Sequence, residues 1–141
     1  MSQNFNMENK KTAITVLMPA YNSEKYLKEA IDSILDQSYS DFSLLIINDA
    51  STDKSEEIIL SYKDARIQYL KNEKNLGLVG TLNRGLEIID TEYIVRMDSD
   101  DISVHNRFEI QKKFMDAHPE VGVSSCALER FGEDKGIWTV P

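Results

Sequence analysis

Three carboxylates lie within four residues in the segment Asp98-Ser99-Asp100-Asp101. Two unit charges about 4 Å apart repel by about 1 kcal/mol in water and by roughly 4 kcal/mol at an effective dielectric constant near 20. A divalent cation removes this repulsion, and carboxylates combined with phosphate oxygens suit Mg²⁺ or Mn²⁺. Such a cation would stabilise the charge that develops on a departing diphosphate. The same residues also fit a solvated acidic turn in which Asp101 or Ser103 caps the next helix.

Other polar residues follow apolar runs earlier in the chain. Asp49 could accept a hydrogen bond from a ligand, or it could form an Asx turn or a helix cap within Asp49-Ala50-Ser51-Thr52-Asp53. Tyr21 directly follows an apolar run, where it could stack on a base or be an ordinary surface aromatic. His105 and His118 have no partner at metal-ligand spacing, which predicts two exposed histidines without a ligand role.

Alternating strands and helices must position these residues. Short apolar runs predict strands, which we place at Thr12–Met18, Phe42–Ile47, Arg66–Leu70, Tyr93–Met97 and Val121–Leu128. Apolar residues at helical spacing predict four helices between or after these strands. The first follows Asn22 or Ser23 as its cap, and the second follows a capping box of Asp53 and Glu56. The third begins near Val79, and the fourth spans Arg107–Ala117.

This alternation predicts an α/β fold, a mostly parallel sheet with helices on both faces. Ligands of such sheets bind at the carboxyl ends of the strands. Three of the first four predicted strands end in polar residues that do not suit a core, namely Tyr21 and Asn22, Asn48 and Asp49, and Asp98 to Asp101. We therefore expect these residues to gather along one edge of the sheet and to form one site.

Composition narrows the class of protein. The 141 residues suffice for one domain with a core, and 41% hydrophobic and 28% charged residues are typical of a soluble globular chain. A net charge of -8 without a basic face argues against nucleic-acid binding, so phosphates would need a helix N-terminus or a metal ion. With a single cysteine, Cys126, the chain cannot form an internal disulfide, which is compatible with a reducing cytoplasm. We expect Cys126 to be a small core residue in an apolar strand.

The ends of the sequence carry further expectations. Residues 1–11 are polar and read as a flexible leader before a domain over residues 12–141. No signal peptide or membrane span is visible in the sequence, which predicts a cytoplasmic protein, with the inner face of the membrane as an alternative place of action.

Four motifs, in order and each at the expected end of an element, resemble the family-2 glycosyltransferases, which are inverting enzymes with the fold called GT-A. The motifs are Pro19-Ala20-Tyr21-Asn22, Asp49-Ala50-Ser51-Thr52-Asp53, Asn75-Leu76-Gly77 with Asn83-Arg84-Gly85, and Asp98-Ser99-Asp100-Asp101. The resemblance covers roughly Ala13 to Val121. It implies the strand order 3-2-1-4 and a metal-dependent transfer of a sugar from a nucleoside diphosphate, with UDP-sugars favoured, as in polysaccharide biosynthesis.

The resemblance also implies roles for individual residues. Pro19, Ala20 and Tyr21 would line the nucleobase pocket, and Asp49 would accept a hydrogen bond from the base. Gly80, Asn83 and Arg84 would lie near the ribose and phosphates. Asn22 and Ser51 would also bind the donor. Asp98 and Asp100 would be the paired aspartates of the DxD motif at the ribose and the metal, with Ser99 between them and Asp101 as a competing metal ligand. Asn48 stands where the family often has a second acidic residue, which leaves the details of base contact open.

One family element is missing from the sequence. The catalytic base of these enzymes lies well downstream of the DxD motif, and none of Glu129, Glu133 and Asp134 has the family's placement. We therefore expect a partial domain that binds donor but lacks its base. Such a domain would expose a sheet edge that favours self-association. The sequence names neither the sugar nor the acceptor, whether sugar or lipid-linked.

Three alternatives belong to other classes. A sugar-1-phosphate nucleotidyltransferase would carry a glycine-rich loop with a basic residue after the first strand, and Pro19-Ala20-Tyr21-Asn22 has neither. A doubly wound regulatory domain would have acidic residues after the first strand, which ends here without one. A module that binds a nucleotide sugar without transferring it remains an alternative for the isolated chain.

Overall fold

The computed structural model describes residues 12–131 and the backbone of residues 136–138. The helices and strands are β1 Ile14–Ala20, α1 Leu27–Leu35, β2 Phe42–Asn48, α2 Ser55–Ser61, β3 Ile67–Lys71, α3 Gly77–Ile88, β4 Tyr93–Arg96, α4 Arg107–Ala117, β5 Leu128–Arg130 and β6 Gly136–Trp138. The expected leader, residues 1–11, lies outside the described residues. None of the described helices is long and apolar enough to cross a bilayer.

Four strands form a parallel sheet in the order β3-β2-β1-β4. β1 and β2 pair over their full lengths, from Ile14 opposite Phe42 to Ala20 opposite Asn48. These two central strands are buried on both faces, which explains their almost continuously apolar sequences. β3 and β4 flank them and are only partly buried. The predicted α/β fold, the parallel sense and the strand order are confirmed.

Pro19 lies inside β1 rather than ending the strand as predicted. Leu17 O accepts the N–H of Met97 at 3.1 Å on the β4 side, whereas Ala20 O accepts the N–H of Asp49 at 2.8 Å on the β2 side. Because backbone groups alternate along a strand, Pro19 faces the same side as Leu17. The β1–β4 ladder has already ended at Leu17, so the missing N–H of proline costs no ladder hydrogen bond.

Helices cover both faces of the sheet. On one face, α1, α2 and α4 pack on β1 and β2 and form the larger core, which includes Val16, Met18, Leu27, Ile31, Ile34, Leu44, Ile46, Ile59 and Phe108. The rings of Phe42 and Phe108 meet edge to face with centroids 5.4 Å apart, which anchors α4 to this face. On the other face, Leu82 and Ile89 from the α3 segment cover Leu17, Leu45 and Ile47.

The segment after α4 differs from the prediction. Residues 121–127 form no strand, and the short β5 pairs antiparallel with β6 instead of joining the parallel sheet. The apolar side chains of this segment find no core to enter, since Val123 is 87% exposed and Leu128 is exposed as well. The predicted fifth strand, Val121–Leu128, is therefore wrong, and so is the core position of Cys126, which is exposed.

Two predicted helix starts also differ, because side chains expected as local caps bind elsewhere. α1 begins only at Leu27, after a turn in which Ser23 O accepts the N–H groups of Tyr26 and Leu27. Asp53 accepts the N–H of Ser55 at 2.9 Å, but the carboxylate of Glu56 does not complete a capping box. It binds Tyr69 and Lys71 on β3 instead, and so ties α2 to the edge of the sheet.

Candidate functional site

The loops after β1, β2 and β4 meet at the carboxyl edge of the sheet, and we call them the first loop (residues 21–26), the second loop (49–54) and the third loop (97–106). Asn22 joins the first two. Its N–H donates to Ser51 Oγ at 3.0 Å, and its Oδ1 accepts the N–H of Thr52 at 2.8 Å. Asn22 adopts the left-handed conformation, φ 47°, which asparagine tolerates better than most residues. The side chain of Asn22, predicted to bind donor, thus holds two loops together.

A second pair of contacts strengthens the same junction. Glu24 N–H donates to Asp53 Oδ2 at 3.0 Å, and Glu24 Oε2 accepts the N–H of Lys54 at 2.9 Å. Ala50 in the second loop also has a positive φ, 57°, a conformation that costs a residue with a Cβ about 1 kcal/mol. The surrounding hydrogen bonds maintain this strained turn, so the junction has a defined shape before any ligand binds.

Ser23 connects the first loop to the acidic third loop. Its N–H donates to Ser55 Oγ at 2.8 Å, and its hydroxyl lies 2.7 Å from Ser99 Oγ. Ser55 and Ser99 are both buried. Ser99 separates Asp98 from Asp100, so this contact fixes the acidic run relative to the other two loops.

Asp49 lies at the end of β2 and is only 3% exposed. Its Oδ1 accepts the N–H of Leu76 at 2.8 Å and Asn72 Nδ2 at 2.6 Å, and its Oδ2 accepts the N–H of Gly77 at 2.9 Å. Asp49 therefore caps α3, which explains why this helix begins two residues before the predicted Val79. The cap was one of the two interpretations of Asp49, although the helix is more distant in sequence than expected.

Hydrogen bonding controls the charge of Asp49. Burial by itself would raise the pKa of its carboxyl group, but donors from Leu76, Asn72, Thr81 and Gly77 outweigh burial and hold the pKa below its usual value. A carboxylate has about four acceptor positions, and these donors match that capacity. An incoming ligand N–H would have to replace one of them.

Asn48 is fully buried. It stands at the position where the family-2 glycosyltransferases often have a second acidic residue. Its Oδ1 accepts the N–H of Ser51 at 2.9 Å and its Nδ2 donates to Tyr69 Oη at 3.1 Å. A carboxylate cannot donate to Tyr69 in this way, and Tyr69 already donates to Glu56. Asn48 therefore holds the second loop against the end of the sheet through its hydrogen bonds to Ser51 and Tyr69.

Charged groups surround the third loop. The Arg96 guanidinium donates to both carboxylate oxygens of Asp98, from Nε to Oδ1 at 3.1 Å and from Nη2 to Oδ2 at 3.2 Å. No side-chain hydrogen bond to Asp100 or Asp101 occurs among the described residues. Desolvation raises the pKa of Asp101, and the charges of Asp100 and Asp98 raise it further. Neither Asp101 nor Ser103 caps α4, whose N-cap position is Asn106, so the acidic run is not explained as a helix cap.

The third loop carries carboxylates of the kind that bind divalent cations. Within residues 12–131, no group of three or more His, Cys, Asp or Glu side chains converges on a point that could hold a metal ion. Mg²⁺ and Mn²⁺ bound with nucleotides often use only one or two carboxylates together with phosphate oxygens and water. Asp100 and Asp101 provide two neighbouring carboxylates, which fits such a partial ligand set.

The remaining predicted donor-binding residues lie on two elements. Pro19 and Ala20 are the last residues of β1 and are buried, whereas Tyr21 follows them and is 50% exposed. Gly80, Asn83 and Arg84 lie on the first turns of α3, whose N-terminus is at the carboxyl edge. Asn83 is exposed, and a Cβ on Gly80 would lie 2.9 Å from Leu76 Cβ. Arg84 Nη1 donates to Lys71 O at 3.0 Å and to Asn72 Oδ1.

A cleft of about 510 Å³ runs beside the third loop along the outer side of β4. Its lining includes Ile94, Met97, Asp98, Asp101, Arg107 and part of the irregular segment 122–126. Acidic and basic groups therefore lie at one end of a mainly apolar cleft.

Comparison with known proteins decides the family. The family model described as Glycosyl transferase family 2 matches residues 15–141, nearly the whole chain. The chain belongs to glycosyl transferase family 2. A glycosyltransferase of Methanocaldococcus jannaschii, itself uncharacterized, is 42% identical over 115 residues, which cover 79% of this chain and 40% of that protein. The resemblance seen in the four motifs is confirmed.

Solved structures agree with a GT-A glycosyltransferase fold. The Staphylococcus aureus TarS fragment 1-349 in complex with UDP-GlcNAc is similar with a TM-score of 0.71 and 28% identity, over 75% of this chain and 32% of that chain. Glucosyl-3-phosphoglycerate synthase from Mycobacterium tuberculosis, in complex with Mn²⁺, UDP and phosphoglyceric acid, is similar with a TM-score of 0.55 and 25% identity, over 70% of this chain and 37% of that one. The chain thus spans well under half the length of these relatives.

Of the three downstream acids of this family-2 chain, the structure describes Glu129. Glu129 lies in β5 and is exposed, whereas Glu133 and Asp134 lie outside the described residues. In contrast, two buried polar residues that the motifs did not single out, Asn72 and Thr81, contact Asp49. A signal for Asn72 was present, because this residue directly follows β3 just as Asp49 follows β2.

Proposed function

We propose that the protein containing this chain transfers a sugar from a nucleoside diphosphate donor, with UDP-sugars favoured, to a hydroxyl acceptor with inversion. The chain supplies the donor and metal site. The observation that carries this proposal is the junction of three loops at the carboxyl edge. The Ser23–Ser99 contact joins a family-2 acidic run to the first loop, and the Asn22–Ser51 contact joins the first loop to the loop that holds Asp49. Family membership supports sugar transfer over the nucleotidyltransferase and regulatory alternatives.

Asp100 and Asp101 are the residues we assign to the metal. Asp98 already shares its charge with Arg96, so its carboxylate is better suited to a ribose hydroxyl or to a shared role. When bound, Mg²⁺ or Mn²⁺ would neutralise the diphosphate and so make it a better leaving group. The Mn²⁺ and UDP bound to the mycobacterial relative support a divalent cation as part of the donor site.

The nucleoside would bind between Tyr21 and Asp49. Tyr21 offers a half-exposed ring at the mouth of the first loop, which suits stacking on a base. Asp49, kept ionised by its donors, would accept an N–H of the base once the Thr81 hydroxyl turns away. Uracil and guanine both carry a suitable N–H, whereas the corresponding ring nitrogen of cytosine is an acceptor. The UDP-GlcNAc bound to the TarS fragment favours uracil.

Transfer requires a general base that removes the proton of the acceptor hydroxyl while the bond between the anomeric carbon and the diphosphate breaks. A positioned base contributes typically 10²–10⁴-fold to the rate. Glu129, the one of the three downstream acids that the structure describes, is exposed on β5, and we propose that the chain by itself binds donor without transferring sugar. Acceptor binding and the base then belong to the part of the protein that this chain does not span.

A thermal-shift experiment tests the proposal. UDP, GDP and CDP are each added to the chain with Mn²⁺, with Mg²⁺ or with EDTA. A ligand present at about 100 times its Kd stabilises the folded state by about 2.7 kcal/mol. We expect stabilisation by UDP with either cation and little with EDTA or with CDP. Equal stabilisation by UDP in EDTA would contradict the metal role, and stabilisation by no nucleotide would contradict donor binding.

A further inference from the structure

We propose that Asn72 is a positioning residue that couples the carboxylate of Asp49 to the guanidinium of Arg84, so that the base and the phosphates of a nucleotide are bound cooperatively. This inference rests on the proposed function, since the ligand contacts of Asp49 and Arg84 are part of it.

Asn72 is buried, and its backbone is fixed by the sheet. It is 1% exposed and follows β3 directly. Its backbone N–H donates to Asn48 O at 2.9 Å, which extends the pairing of β3 with β2 by one hydrogen bond. A buried polar side chain at this point must satisfy its hydrogen bonds within the protein.

The side chain of Asn72 joins three residues. Nδ2 donates to Asp49 Oδ1 at 2.6 Å and to Thr81 Oγ1 at 3.0 Å, while Oδ1 accepts from Arg84 Nη1. Both polar atoms of the Asn72 side chain therefore have hydrogen-bond partners. The three partners lie in the second loop and in the first two turns of α3.

The chemistry of the partners fixes the orientation of the amide. An ionised carboxylate only accepts hydrogen bonds and a guanidinium only donates them. Asn72 therefore must present its NH₂ group to Asp49 and its oxygen to Arg84, and a reversed amide would oppose both. A carboxylate or an apolar side chain of similar size can satisfy only one of these two partners or neither.

Coupling follows from this arrangement. A base N–H that binds Asp49 displaces one of its donors and shifts the carboxylate, and the Asn72 amide transmits that shift to Arg84. Arg84 uses Nη1 for Lys71 O and Asn72, which leaves Nε and Nη2 for phosphate oxygens. Fixing the guanidinium in advance lowers the entropy that is lost when it binds phosphate.

The test measures uridine and UDP binding, with Mg²⁺, by nuclear magnetic resonance titration of the backbone amides. The variants are Asn72→Asp, Asn72→Leu and Arg84→Gln, each studied well below its unfolding temperature. The control is Gln68→Ala, which removes an exposed amide side chain on β3 outside the three loops. We expect Asn72→Asp and Asn72→Leu to weaken UDP binding at least 10-fold and Gln68→Ala to leave it within twofold.

The decisive result concerns a nucleoside without phosphate. If Asn72 couples the two groups, Arg84→Gln weakens uridine binding at least threefold, although uridine carries no phosphate for Arg84 to bind. Unchanged uridine affinity in Arg84→Gln, or UDP affinity within twofold of wild type in both Asn72 variants, overturns the inference. The Arg84→Gln result decides alone if the Asn72 variants do not fold. If the wild-type chain binds neither uridine nor UDP, the proposed function itself fails.

Discussion

The hydroxyl oxygens of Ser23 and Ser99 lie 2.7 Å apart, and this hydrogen bond joins the loop after β1 to the acidic loop after β4. Neither serine carries a charge, yet their contact sets where the carboxylates on both sides of Ser99 lie. The position of a charged group can thus depend on a neutral hydrogen bond between two neighbouring loops.

Removal of either hydroxyl should loosen the acidic loop. We expect Ser23→Ala and Ser99→Ala each to lower the free energy of unfolding by about 1 kcal/mol and to weaken Mn²⁺-dependent UDP binding about fivefold. The double variant should lose little more than Ser23→Ala alone, because both changes remove the Ser23–Ser99 hydrogen bond and Ser23→Ala also removes the donation to Tyr21 O. Urea denaturation and calorimetric titration measure the two effects. Ser61→Ala, which removes an exposed hydroxyl bonded to Ile58 O, serves as the control, and fully additive losses would contradict the coupling.

The carboxylates that we assign to the metal should lower the stability of the fold when no metal is bound. We expect Asp100→Asn and Asp101→Asn to weaken Mn²⁺-dependent UDP binding at least 10-fold. The same changes should leave the unfolding temperature in EDTA equal or higher, because they remove mutual repulsion that raises the pKa of Asp101. Glu120→Gln, a change at an exposed acid after α4, should alter neither quantity. Lower stability together with unchanged metal-dependent binding would show a structural role instead.

Asp49 should contribute to folding as well as to binding. In Asp49→Asn the new NH₂ group faces the N–H of Leu76 or Gly77, so one buried donor loses its acceptor. We expect the free energy of unfolding at pH 7 to fall by about 2 kcal/mol. Asp41→Asn, at an acid for which the described residues offer no side-chain hydrogen bond, should change it by less than about 0.5 kcal/mol.

The pH dependence of this loss has a definite sign. The pKa of Asp49 is held below its usual value, so its stabilisation is fully present above the usual aspartate pKa, about 3.9, and disappears as the pH falls through the lower folded-state pKa. The gap in stability between wild type and Asp49→Asn should therefore be constant from pH 7 down to about pH 5 and narrow below about pH 4. Denaturant unfolding at a series of pH values measures it, and a gap that widens in acid would exclude the cap.

Gly85 permits α3 to approach β1 closely. A Cβ at this position would lie 2.4 Å from Leu17 Cδ1, inside the smaller core. We expect Gly85→Ala to lower the free energy of unfolding by about 1–3 kcal/mol through overpacking, even though alanine favours a helix by about 1 kcal/mol over glycine. Gly122→Ala is the matched control because its Cβ would meet no atom within 4 Å. Equal urea midpoints for both variants would show that Leu17 moves aside at no cost.

The sequence predicted those elements whose signal is local. The bounds of α4, Arg107–Ala117, agree with the prediction, because apolar spacing and Pro119 define them within one segment. The parallel sense of the sheet followed from alternation, whereas its order came from family resemblance. The predicted strand Val121–Leu128 was wrong because apolar residues form a strand only beside a partner strand, and local sequence does not show whether one is present.

The candidate site was predictable only in outline. Asp49 and the acidic run were found because polar residues directly follow buried strands. Asn72 was missed since the expected third strand ended at Leu70, which placed this residue in an unassigned loop rather than at a strand end. The bonds that Asn22 and Asp49 make join residues far apart in sequence, and no local pattern could show which partner each would choose.

The order of the strands in the sheet also affects when the site can form during folding. The Asn22–Ser51 contact closes a separation of 29 residues, whereas the Ser23–Ser99 contact closes 76 residues and requires β4 to reach β1. Closing a longer loop costs more chain entropy, and non-local pairing slows folding. During folding, β1 and β2 with their two loops can therefore dock first, and the acidic loop arrives last. A nucleotide added to a refolding chain should therefore meet the proposed base pocket before the proposed metal site has formed.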